Sequence, residues 1–105
     1  MTQEKRYSVS VDIAANDRMY DHVRFLAQVS IPAAERLYTA LEEAIADLES
    51  NPERCPMYAA QSHIDVELRY KLCSKRYRIV FEISGYNVYV YDIQDCRQDS
   101  DKNLV

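Results

Sequence analysis

The chain has 105 residues, with 13 Lys and Arg against 17 Asp and Glu and a formal net charge of −4. That length holds one domain with one modest core, and the acidic balance argues against a protein that coats nucleic acid by bulk charge. Apolar residues reach 48 %, which is globular rather than disordered composition. No apolar run approaches the ~20 residues of a membrane span, and the first residues carry no apolar secretory core. A cytoplasmic protein without membrane contact is therefore expected.

In chain order, residues 6–13 alternate, with Tyr7, Val9, Val11 and Ile13 on one side and Arg6, Ser8, Ser10 and Asp12 on the other. A period of two predicts a half-buried strand. Residues 15–29 read as a helix with Met19, Val23 and Leu26 on one face and Arg18 on its surface. Ser30 offers an N-cap and Pro32 suits the first turn of a second helix. There Ala34, Leu37, Leu41, Ala44, Ile45 and Leu48 form an apolar stripe. Ser50-Asn51-Pro52 ends it, because the residue before proline is pushed out of the α region.

Residues 53–65 read as irregular. Three strands follow. Val66, Leu68, Tyr70 and Leu72 alternate with Glu67, Arg69 and Lys71. Tyr77, Ile79 and Phe81 alternate with Arg78, Val80 and Glu82. Residues 84–87 contain the single glycine and predict a hairpin turn into an apolar last strand, residues 88–93. The fold class expected is α+β, ordered β-α-α-β-β-β, with two helices on one face of a small, mainly antiparallel sheet of three to four strands. Residues 1–105 read as one domain whose tail, about 99–105, frays.

Cys55, Cys73 and Cys96 are odd in number and widely spaced, which reads as reduced thiols. His22 and His63 lack ligand spacing, so no metal and no cofactor is expected. His22 reads as structural or exposed, whereas His63 could approach a site from the irregular segment. With one glycine in the chain, no loop can cradle a nucleotide.

The concentrated feature is cationic. From Arg69 to Arg78 there are five basic residues (Arg69, Lys71, Lys75, Arg76, Arg78) and no acidic one. If Cys73–Arg76 form a four-residue loop, Leu72 pairs with Tyr77, and Lys71 stands across from Arg78 on the face away from the helices. Opposed like charges destabilise a strand pair, so an anionic ligand is one explanation for both being there. The other is a solubilised, edge-protecting face, partly neutralised by Glu67 and Glu82 lying opposite each other.

The order and spacing of these segments resemble toxins of the RelE/ParE superfamily of bacterial type II toxin–antitoxin (plasmid stabilisation, addiction-module) systems. The resemblance rests on YSVSVDIAAND, on IPAAERLYTALEEAIADLESNPERC with Ala33-Ala34-Glu35-Arg36-Leu37, on ELRYKLCSKRYRIVFEI with Leu68-Arg69 and Tyr77-Arg78-Ile79, and on VYVYDIQDCRQD. It spans about residues 6–98.

That resemblance implies a toxin neutralised by a cognate antitoxin, and leaves its target open. In the RelE-like reading the protein is a metal-independent endoribonuclease acting on ribosome-bound mRNA. Arg69 and Lys71 then match the family's lysine pair, Arg78 its Tyr-Arg arginine and Arg97 its post-strand arginine, as the catalytic set, with Lys75 and Arg76 touching RNA. Only Lys71 could serve as base, since arginine does not deprotonate. The family's C-terminal tyrosine has no counterpart in Asp99-Ser100-Asp101-Lys102-Asn103. In the ParE-like reading there is no chemistry; the toxin binds DNA gyrase, and the arginines are structural or partner contacts. An inactive homologue is the third alternative.

Overall fold

The computed structural model describes residues 6–60, 65–98 and 102–105. Strand β1 (Ser8–Val11) leads into helix α1 (Ile13–Ala27) and helix α2 (Ile31–Asp47). The chain then passes through a 3-10 turn (Pro52–Arg54), the two-residue strand β2 (Met57–Tyr58), and strands β3 (Leu68–Cys73), β4 (Tyr77–Ser84) and β5 (Asn87–Asp95). Among the described residues these strands make one five-stranded sheet, ordered β1-β5-β4-β3-β2. Every pairing is antiparallel except β1 with β5. The α+β class and the two-helix layer agree with the sequence. The short β2 adds an edge within the segment expected to be irregular, and His63 lies outside the described residues.

The local signals act as their chemistry requires. Ser30 caps α2, its Oγ accepting from the Ala33 N–H at 3.2 Å, and Pro32 sits in the first turn. After α2, Asn51 takes a left-handed φ of 54° before Pro52. Gly85 turns β4 into β5 with a φ of 60°, a region glycine enters without the Cβ clash that other residues meet.

The core lies between the helices and one sheet face. Ala15 and Met19 of α1 and Leu37, Leu41 and Ala44 of α2 meet Tyr77, Ile79, Phe81, Val88, Val90 and Ile93. Leu48 is buried just past α2, and Ile45 is half-buried. His22 is buried here as well, its ring 5.3 Å from that of Tyr77. Its Nε2 lies 2.6 Å from the Ile93 carbonyl oxygen, so Nε2 carries the proton and donates. Burial pushes the imidazole pKa down.

Two register features decide which residues face which way. The loop between β3 and β4 holds three residues, not four. Cys73 pairs with Tyr77, and the turn closes through the Arg76 N–H on the Cys73 carbonyl at 3.3 Å, with Ser74 and Lys75 both at positive φ. That one-residue difference turns every β3 side chain over. Leu68, Tyr70 and Leu72, expected against the helices, lie on the opposite face, and Cys73 enters the core. Glu82 accordingly stands opposite Leu68, not Glu67. The second feature is a bulge in β5. Phe81 pairs with Val90 but Val80 pairs with Asp92, so Tyr91 is the extra residue. Beyond it the pattern inverts, sending Ile93 to the core and Asp92 and Gln94 to the open face.

Candidate functional site

The open face is built by Tyr58 of β2, Leu68, Tyr70 and Leu72 of β3, Arg78, Val80 and Glu82 of β4, and Asp92 and Gln94 of β5. Leu68, Val80, Asp92 and Gln94 are each at most 1 % exposed despite having no helix above them. What lies there is a polar network. Arg78 Nε donates to Gln94 Oε1 at 3.2 Å. Gln94 Nε2 donates both to the Tyr58 hydroxyl at 2.8 Å and to Asp92 Oδ2 at 3.0 Å. The Arg78 guanidinium stacks over the Tyr58 ring, 5.5 Å from its centroid.

The buried Asp92 carboxylate is the hub. Its Oδ1 accepts from the Ile93 N–H at 2.8 Å and from Arg18 Nε at 3.3 Å. Arg18 is thus no free helix-surface cation: it reaches from α1 to this carboxylate, with a side chain only 15 % exposed. A charge without solvent needs such a partner. Residues 102–105, expected to fray, reach the same network: the Leu104 N–H donates to Asp92 Oδ2 at 2.7 Å, and the Tyr58 hydroxyl donates to the Val105 main-chain oxygen at 2.9 Å.

The six cations singled out in the sequence do not gather. Arg78 is on the open face. Arg69 and Lys71 are on the helix side, in register with Phe81 and Ile79. Arg69 Nη1 donates to the carbonyls of Glu53 (3.0 Å) and Cys55 (2.7 Å), fastening the segment after α2. Lys71 Nζ lies 3.6 Å from Asp47 Oδ2 at the end of α2. The expected opposition of Lys71 to Arg78 is therefore absent, and so is the repulsion that seemed to call for an anion. Arg76 leans on the Tyr77 ring, 5.6 Å from its centroid. Arg97 turns back to Asp95, Nε to Oδ1 at 3.7 Å. Lys75 is exposed at the hairpin tip.

Nucleophilic chemistry finds little support. Burial pushes the Cys55 and Cys73 thiols up, away from the reactive thiolate. The Tyr91 phenol, donating to Glu82 Oε1 at 2.6 Å, is pushed up to about 12, chiefly by that hydrogen bond. No group of three or more His, Cys, Asp or Glu among the described residues could hold a metal ion, and no described helix is long and apolar enough to cross a membrane.

Tyr58, Asp92, Gln94 and the tail were not singled out from the sequence. The available signal was the Asp92-x-Gln94 pair, polar residues two apart following the apolar and aromatic run from Val88 to Tyr91.

A helical hairpin on one face of a mostly antiparallel sheet, with a hydrogen-bonded polar network on the other, defines a small α+β domain. The model of the ParE toxin family, described as the ParE toxin of the type II toxin–antitoxin system parDE, matches residues 9–100, and the chain belongs to that family. Among solved structures, a chain of the chromosomal ParDE toxin–antitoxin system from P. aeruginosa shares the fold at a TM-score of 0.61 and 15 % identity, covering 87 % of this chain and 97 % of its own. No curated protein matches the chain.

Proposed function

We propose that this toxin works as a binding module on DNA gyrase, without cleaving RNA, and is held inactive by a cognate antitoxin. The observation that carries the reading is the separation of Lys71 from Arg78 by the thickness of the sheet. Metal-independent RNA cleavage needs a base at the 2′-OH and cations around the same phosphate. Here Lys71, the one lysine of that catalytic set, pairs with Asp47, Arg69 fastens backbone carbonyls and Arg97 pairs with Asp95. Arg78 and Lys75 are the cations we assign to target contact.

The test is the purified toxin, free of antitoxin, in two assays. Supercoiling by purified gyrase should be inhibited, while a reconstituted translation reaction runs at its normal rate with its mRNA intact. Cleaved mRNA with unimpaired gyrase overturns the reading and restores the ribosome-dependent nuclease.

A further inference from the structure

We infer that the cavity between α2 and the β3–β4 hairpin binds a small carboxylate with an apolar body, gripped by Arg36 and Arg76. The cavity holds about 380 Å³. Leu26, Ala33, Leu37 and Ala40 supply apolar wall, and the two arginines, one from α2 and one from the hairpin, line it with no carboxylate among the described residues around them. Pockets of this make-up, apolar with a few converging polar groups, are the usual form of a small-molecule site. None of these residues belongs to the Asp92 network or to the cations assigned to target contact.

Both cations lack a counter-charge. Along α2, Arg36 has Pro32, Ala33, Thr39 and Ala40 three and four residues away on either side, the positions from which an acid on the same helix would reach it. Among the described residues neither Arg36 nor Arg76 lies within salt-bridge distance of a carboxylate. The Arg76 guanidinium is the sharper pointer. Its Nε and Nη2 share one edge, the fork that holds a carboxylate through two parallel bonds. Nη2 donates to the neutral Tyr77 hydroxyl at 3.3 Å, beyond the usual ~2.7–3.2 Å. Nε is shut off from solvent and has no acceptor among the described residues, although buried donors are normally paired. A small swing of the guanidinium off the Tyr77 hydroxyl brings both groups onto a carboxylate in the cavity, and Arg36 adds its charge from the α2 side. The apolar walls select the rest of the ligand: a bare anion covers none of them, whereas an aryl or short alkyl group does.

The test titrates the full chain with 4-phenylbutyrate, with its uncharged amide and with inorganic phosphate, following backbone amide chemical shifts. 4-Phenylbutyrate should bind with a Kd of about 1 mM or tighter, as its size allows, and should move the Ala33, Ala40 and Ser74 amides. The uncharged amide and phosphate should each bind at least about tenfold more weakly, the first lacking the charge and the second the apolar body. Arg36→Ala, at an exposed position, should weaken 4-phenylbutyrate about fivefold or more. Arg76→Lys, which keeps the charge and loses the fork, should weaken it to a similar degree. Arg24→Ala, the same loss of charge outside the cavity, should leave binding unchanged. No saturation by about 10 mM, equal affinity for the uncharged amide, phosphate binding as tightly as the carboxylate, or full affinity in Arg36→Ala would each overturn the proposal.

Discussion

Leu72 stands opposite Arg78 across β3 and β4, while Lys71, one residue earlier, points to the other side of the sheet toward Asp47. Lys71 and Arg78 therefore have no common partner. Lys71→Ala and Arg78→Ala should change folding stability additively, within about 0.5 kcal/mol, as for independent sites. In growth assays without antitoxin, Arg78→Ala should weaken toxicity and Lys71→Ala should retain it. A coupling above ~1 kcal/mol in urea melts of the double variant would contradict that separation.

Arg18 and Asp92 form an ion pair with the carboxylate at 0 % exposure. Removing one partner of a buried pair strands the other, which costs about 3–5 kcal/mol. Asp92→Ala should approach that loss, because Arg18, Gln94 and the Ile93 and Leu104 amides all lose their acceptor. Arg18→Ala should cost less, since the carboxylate keeps three donors. Chemical denaturation of the two variants gives the ordering, and equal small losses would exclude Asp92 as a hub.

Leu41 is fully buried on α2. Leu41→Ala should destabilise by ~2–5 kcal/mol, the range for truncating a buried leucine where the cavity collapses only in part. A loss below ~1 kcal/mol in an equilibrium melt would mean that the site relaxes or that α2 packs differently.

His22 titrates below its ordinary value because burial disfavours the imidazolium. The unfolded chain, with its histidine near ~6.5, then binds more protons than the folded one as pH falls below that value. Stability from this group is thus complete above pH ~6.5 and is lost on acidification towards the folded-state pKa. His22→Gln, which can still donate to the Ile93 carbonyl, should flatten the difference between melts at pH 7.5 and about 5.5. An unchanged pH dependence in the variant would assign the effect to other groups.

Gly85 has open space where a Cβ would go, but its φ is +60°. Gly85→Ala should therefore cost about 1 kcal/mol through the backbone alone, with no steric contact involved. A thermal melt at unchanged midpoint would show that the turn adopts another geometry.

The apolar periodicity of α2, the Ser30 cap, the break at Pro52, and the alternation in β1 and β4 were legible in the sequence because each depends on neighbours within a turn or a strand. They were enough for the α+β layer and for the core residues Leu37, Leu41, Ile79 and Phe81. The family resemblance was legible too, as an order of such segments. What the sequence left open was which side of the sheet each polar residue faces. A three-residue loop after Cys73 and a single bulged residue, Tyr91, each reverse an alternation whose residues are unchanged. Strand parity has a period of two, so one inserted or omitted position exchanges core for surface. Those reversals send Lys71 and Arg78 to opposite faces and bring Asp92 and Gln94 beside Tyr58. Contacts such as that from Arg18 to Asp92, across 74 positions, exist only once the tertiary structure has closed, and they decide what the open face can bind.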